Sequence, residues 1–169
     1  MSEAWVSEIV VRPVRPEEHE AVGAMTVAAY QADGLLVADP EYVHELADAA
    51  RRAEQGELLV AVSDEGELLG SVTIVRPGTP YSEISREGEL EFRMLSTAPT
   101  ARGRGVGEAL TRAVLNRARE LGACRVVLSS LESMTTAHRL YDRLGFERLP
   151  ERDWQPVPNV WLRAYAAEL

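Results

Sequence analysis

Cysteine is the scarcest reactive side chain here: Cys124 is the only one in 169 residues. A lone thiol forms no internal disulfide, which predicts a protein of the reducing cytoplasm. Long apolar runs are missing too. No stretch reaches the ~18 residues of a membrane-spanning helix, so no span is expected. The opening MSEAWVSEIVVRP has no basic segment followed by an apolar core, which argues against a secretory leader. Positive charge is outnumbered: 18 basic residues against 27 acidic ones leave a net charge of -9. Nucleic-acid and anionic-membrane binding run on an excess of basic side chains and are disfavoured. A positively charged partner such as an amine would be attracted instead. His19, His44 and His138 show no metal-ligand spacing, so no metal is expected. Repeats and low-complexity linkers are absent, and the length suits one domain over residues 1–169.

What is present reads as a mixed α/β chain. Glu8 to Val14 is a β-branched strand, and the stretch from Arg15 to Tyr30 opens with Pro16 and acids, as a helix does. A second helix is expected from Pro40 to Gln55. ELLVAVSDEGELLGSVTIV reads as a hairpin turning at Asp64-Glu65-Gly66. A polar loop, Arg76 to Gly88, leads to a strand over ELEFRMLSTAP. Val106 to Leu121 reads as a helix with Val106, Ala109, Leu110, Ala113, Val114, Ala118 and Leu121 inward. CRVVLSSL is a short buried strand, in which Cys124 reads as packing rather than nucleophile. TTAHRLYDRLGF is an amphipathic helix closed by Gly145, and NVWLRAYA is a last strand.

Between strand and helix lies Arg102-Gly103-Arg104-Gly105-Val106-Gly107. A helix start leaves backbone N–H groups without partners and carries partial positive charge. Glycines let those groups approach an anion closely, and arginines add charge-assisted bonds, so the loop suits a phosphate or pyrophosphate. A Walker loop needs Lys-Ser or Lys-Thr after its last glycine, where Glu108-Ala109 stands. A dinucleotide fingerprint needs a glycine at the sixth place, where Glu108 stands again.

The loop does resemble the coenzyme A signature of the GNAT (Gcn5-related) N-acetyltransferases: Arg or Gln, two residues, Gly, one residue, Gly or Ala. About thirty residues on, AHRLYDRLGF, Ala137 to Phe146, is similar to that family's Ala-x-x-Leu-Tyr-x-x-x-Gly-Phe segment. The order of strands and helices resembles the same fold over nearly the whole chain. The resemblance implies an acyl-CoA N-acyltransferase fold: a central, mostly antiparallel mixed sheet, flanking helices and a splayed cofactor cleft. It also implies acetyl-CoA as acyl donor, with its pantetheine arm against Met94, Leu95 and Ser96 and its phosphates on residues 102–107. Met134 stands where the family often has a cofactor-contacting Asn; Thr135 or Thr136 would take that contact. A homodimer is compatible with this architecture.

Acetyl transfer to an amine needs a base, because a lysine-like amine (pKa ~10.4) is almost all ammonium at neutral pH. Glu89 and Glu91 share one face of their strand. By resemblance either is the base, with Glu91 preferred. Tyr141 resembles the family's proton donor to the leaving thiolate, since a phenol (pKa ~10) stays protonated at neutral pH. The acceptor site is expected among the loops, with Tyr30, Asp33, Tyr81, Glu83 and Trp154 lining it. Two other readings fit the residues: a catalytically silent acyl-CoA sensor, and a protein for which the glycines form only a turn.

Overall fold

The structure, a computed structural model, describes residues 8–169. Its strands are β1 (Ile9–Pro13), β2 (Glu57–Ser63), β3 (Leu68–Val75), β4 (Glu89–Thr97), β5 (Arg125–Leu131), β6 (Glu147–Arg148), β7 (Trp154–Val157) and β8 (Val160–Glu168). The helices are α1 (His19–Ala32), α2 (Val43–Ala47), α3 (Ala49–Gln55), α4 (Val106–Glu120) and α5 (Thr135–Arg143). The sheet runs β1-β2-β3-β4-β5-β8-β6, with β7 on β8, and every pairing is antiparallel except β4 with β5. None of the described helices is long and apolar enough to cross a membrane.

Two expectations about elements change. The helix expected over Pro40 to Gln55 is broken into a 3-10 turn, α2 and α3. The break falls at Asp48, whose carboxylate accepts the Arg51 N–H at 3.1 Å and so caps α3 rather than continuing α2. The short strands β6 and β7 carry no periodic signal, being two and four residues long around prolines.

Amphipathic α4 buries Val106, Leu110, Val114, Leu115 and Ala118 against the sheet. Each large apolar side chain so buried contributes about 1.5–3 kcal/mol. Leu121, expected inside, is exposed just past the helix end, and Cys124, expected in packing, is exposed before β5 begins. Gly70 on β3 lets α4 come close: a Cβ there would lie 2.5 Å from the Ser96 carbonyl oxygen and 2.7 Å from Val106 Cγ1.

Elsewhere α1 and α2 cover a second cluster that includes Tyr30, Leu46, Val75, Tyr81 and Met94, and α3 packs Ala49 with Val22, Leu58, Val60 and Val62 in a third. The fully enclosed Arg52 ties this layer together. Its guanidinium donates to Thr73 Oγ1 at 3.0 Å and to the Leu46 carbonyl at 2.7 Å, without a carboxylate among its partners in the described residues. Burial pushes its pKa down, against the raising influence of Tyr81, Tyr30, Tyr42 and Asp48.

One irregularity positions the functional site. Ser71 pairs with Ser96 and Thr73 with Arg93, so Val72 faces two residues, Met94 and Leu95. This is a β-bulge, and Met94 takes φ 56° in it. Beyond it β4 parts from β5: their ladder joins Glu89–Phe92 to Arg125–Leu128 and stops.

Candidate active site

Two cavities open where β4 and β5 part. The first, about 530 Å³, is lined by Leu95, Ser96 and Thr97, by the glycine loop, and by Thr135, Thr136, Ala137 and Leu140 of α5. Ser96 is held from below by a buried chain of hydroxyls, 3.2 Å to Ser71 and on to Thr26 at 3.3 Å. The loop conformation follows from its glycines. Gly103 and Gly105 have φ of 75° and 79°, and a Cβ at either would meet no atom within 4 Å.

Gly105 caps α4 without any side-chain bond. After the Ala101 N–H, the next backbone N–H with an acceptor among the described residues is that of Ala109, bonded to Gly105 O at 3.0 Å. The N–H groups from Arg102 to Glu108 are therefore available to a ligand, at the positive end of a 15-residue helix. Arg102 lines the groove while paired with Asp33 at 3.1 Å; Arg143 lines it from α5. This donor set and this open space fit the phosphates of coenzyme A. Arg104 is not part of the lining and lies 3.9 Å from Glu67.

The second cavity, about 630 Å³, lies on the other side of the parting strands. Its wall holds Glu83, Glu45, Asp39, Glu132 and a single basic residue, Arg93, among apolar side chains. Tyr30, Leu35, Ser133 and Met134 line both cavities, so the two meet there.

The expected site residues divide as follows. Tyr30 and Glu83 line the second cavity, whereas Asp33 lies on the groove side, bound to Arg102. Met94, expected against the cofactor, faces the second cavity because the bulge turns it there. Tyr81 and Trp154 line neither cavity. Tyr81 is buried beneath the Arg51 and Arg93 guanidiniums, and the Trp154 indole donates to Ser129 Oγ at 3.2 Å.

Glu89 and Glu91 also line neither cavity; each is committed to a structural set of bonds. Glu91 is fully enclosed, and its Oε1 accepts the N–H groups of Glu83, Ile84 and Ser85 at 3.0, 3.3 and 3.1 Å and the Ser85 hydroxyl at 2.8 Å. It thereby fixes the loop before β4. Glu89 binds Arg152 through two bonds of 2.6 and 3.0 Å, with Arg125 at 3.4 Å. Burial alone would push its pKa up, but Arg152, the Arg86 N–H and Arg125 together hold it below the ordinary range.

Glu83 differs from both. Its carboxylate lies 3.1 Å from Arg93 Nε and opens on the second cavity. Burial raises its pKa to about 7, outweighing Arg93, while Glu91 and Glu45 add to the rise. Arg93 in turn donates to Tyr42 Oη at 2.9 Å and comes within 4.0 Å of Glu45. Alternation along β4 from Glu89 and Glu91 was the one signal pointing to Arg93; Glu45 had none.

Tyr141 follows the groove-lining Leu140 but lines neither cavity itself; it is buried among Phe92, Phe146 and Tyr165, with ring centroids 5.6–6.0 Å away. Burial pushes its phenol well above the usual value, with Tyr30 and Tyr165 adding to the effect. Tyr30, also buried, is pushed up to about 12. Unlike Tyr42, neither hydroxyl makes a hydrogen bond among the described residues.

Comparison with known proteins identifies the family and the fold. Residues 21–146 match the model of the acetyltransferase (GNAT) family. An uncharacterised N-acetyltransferase of Schizosaccharomyces pombe is 31% identical over 69% of this chain and 68% of its own length. A mycothiol acetyltransferase of Salinispora tropica is 44% identical over 53% of this chain, which spans only 28% of that longer protein. A GNAT-family acetyltransferase from Staphylococcus aureus superposes with a TM-score of 0.76, covering 96% of this chain and 99% of its own, at 14% identity, and so shows the fold alone. A Gcn5-related N-acetyltransferase from Kribbella flavida is 26% identical, covering 95% of this chain and 98% of its own, with a TM-score of 0.66. An open mixed sheet parted at β4, a glycine loop that caps α4 and a family match across three-quarters of the sequence lead to one conclusion: the chain is an N-acetyltransferase of the GNAT family.

Proposed function

We propose that this enzyme uses acetyl-CoA to acetylate a primary amine by direct attack, with the cofactor in the glycine-lined groove and the amine in the second cavity. The observation that carries the reading is their meeting point, walled by Tyr30, Leu35, Ser133 and Met134. The N–H groups of residues 102–108 would hold the pyrophosphate, and the β5-facing edge of β4 near Leu95 and Ser96 would hold the pantetheine arm. When bound, acetyl-CoA supplies an acetyl thioester whose C–S bond breaks as the amine's C–N bond forms.

The chain's own residues do the rest. A carboxylate in the second cavity takes a proton from the ammonium, so that nitrogen has a free electron pair. The Tyr141 phenol, kept protonated by burial, donates to the departing sulfur. Cys124 is exposed before β5 and lines neither cavity, which supports direct attack over an acyl-cysteine route.

Thermal unfolding with acetyl-CoA, NAD and ATP tests the groove assignment. A ligand at 100 times its Kd adds about 2.7 kcal/mol to native stability, which raises Tm by several degrees. A rise with acetyl-CoA alone is expected; equal rises with all three, or none, would remove the assignment.

A further inference from the structure

The wall of the second cavity carries more chemistry than the reaction class requires. Asp39, Glu45, Glu83 and Glu132 face one arginine, and that arginine is already engaged by Glu83, Glu45 and Tyr42. No free cation among these lining residues awaits a carboxylate. The rest of the lining is largely apolar: Leu35, Val37, Pro156, Val157, Trp161 and Leu162 among others. Val37 and Trp161 are 83% and 52% exposed, so the cavity presents apolar surface to solvent. Tyr30, 8% exposed and without a hydrogen-bond partner, adds a phenol where the cavity meets the cofactor groove.

We propose that this cavity takes a cationic amine with an apolar body and no carboxylate, and that Glu83 receives the ammonium proton. The proposal rests on the reading of the two cavities given above and names the acceptor class within it. The acidic wall attracts an ammonium and repels an amino acid's carboxylate, while the apolar lining takes the hydrocarbon. One ammonium proton passes to Glu83 Oε. The neutral nitrogen then forms the C–N bond as the C–S bond breaks, the sulfur keeps the bonding pair and gains a proton, and nitrogen loses its second proton on becoming an amide.

Glu83 is placed for this by a device in the sequence: its own N–H is bonded to the enclosed Glu91 carboxylate at 3.0 Å. Glu91 is thus a positioning residue. The groups facing Glu83 are Arg93 and Glu91 from β4, Glu45 from α2, Tyr42 from the turn before it and Tyr30 from α1; Asp39 and Glu132 stand further round the wall. With its pKa raised to about 7 by burial, Glu83 is half charged at neutrality, charged in alkali and protonated in acid. Activity should therefore fall as pH drops through about 7.

The test measures thiol release from acetyl-CoA with tryptamine and phenethylamine, with tryptophan and phenylalanine as their carboxylated counterparts, and with putrescine as a cation lacking an apolar body. All 18 basic residues of the chain are arginines, so no lysine of its own competes as acceptor. The arylalkylamines should exceed their amino acids at least about 30-fold in kcat/KM, because like charges brought face to face disfavour the carboxylated partner. Putrescine should fall between them. Glu83→Gln should lower kcat at least about 100-fold and abolish the acid limb near pH 7, with the acetyl-CoA-induced rise in Tm retained. Glu83→Asp, which keeps a carboxylate, should keep the limb at reduced kcat, and it decides the matter if the Gln variant does not fold. Amino acids used as well as the amines would overturn the acceptor class. A limb that persists in Glu83→Gln would overturn the base, and in either case the acetyl transfer itself would stand. Acetyl-CoA binding with no amine of any class consumed would instead remove the parent reading.

Discussion

The two cavities are made of different materials. The groove against the glycine loop is mostly backbone: free N–H groups at the start of α4 and a strand edge released from its ladder. The cavity beyond Tyr30 is mostly side chain: four acids, one engaged arginine and an apolar lining drawn from loops far apart in sequence. A backbone site can serve only a ligand part that never changes, whereas a side-chain site can be refitted one residue at a time. That contrast matches an invariant donor served by one cavity and a particular acceptor served by the other.

The sharpest way to break the contrast is Gly105→Asp. A residue with a Cβ at φ 79° is strained by roughly 1–2 kcal/mol, and a carboxylate there repels phosphate. Acetyl-CoA affinity, measured by calorimetry, should fall at least about 100-fold; an unchanged Kd would show that the loop is only a turn. Next in size is Tyr141→Phe. It should lower kcat roughly 100-fold while leaving the acetyl-CoA Kd within about twofold. Unaltered turnover would make Tyr141 a packing residue.

Glu89→Gln acts on stability and leaves both cavities intact. It breaks a buried pair with Arg152, at about 3 kcal/mol in chemical denaturation near neutral pH. Because the folded-state pKa of Glu89 lies below the ordinary 4.5, its contribution is whole above pH 4.5 and is lost as pH falls below it. Wild type and variant should therefore converge in acid. A variant that kept wild-type stability but lost the acid limb of its rate profile would return Glu89 to the role of base.

The groove was legible in the sequence for a physical reason. Left-handed glycines and a helix start occupy consecutive positions, so Gly103 to Gly107 write the site in one line. Most strands and helices were legible as well, since alternation and three-four spacing are local. The second cavity was legible only in Tyr30 and Glu83, not in the contacts that make it. Glu83 sits in a polar loop without periodicity, and its burial depends on Glu91, Arg93 and Glu45 arriving from β4 and α2. Glu89 and Glu91, read by alternation and resemblance as bases, are engaged by Arg152 and by loop N–H groups that no spacing rule displays. Asp33 and Trp154 were misplaced for the same cause: whether a side chain meets a ligand or, as here, an arginine or a serine hydroxyl is decided by the fold.

The bulge at Met94 has a further meaning. Pairing between β3 and β4 is regular on both sides of it and merely offset by one. The strand is one residue longer than the ladder it belongs to, and Met94 is the surplus. It acts as a wedge: the misfit is confined to a single strained residue, at a cost on the order of 1–3 kcal/mol. The sheet stays continuous through β3, yet β4 is levered away from β5. An opening that would otherwise require a missing strand or a broken core is made here by a surfeit of one.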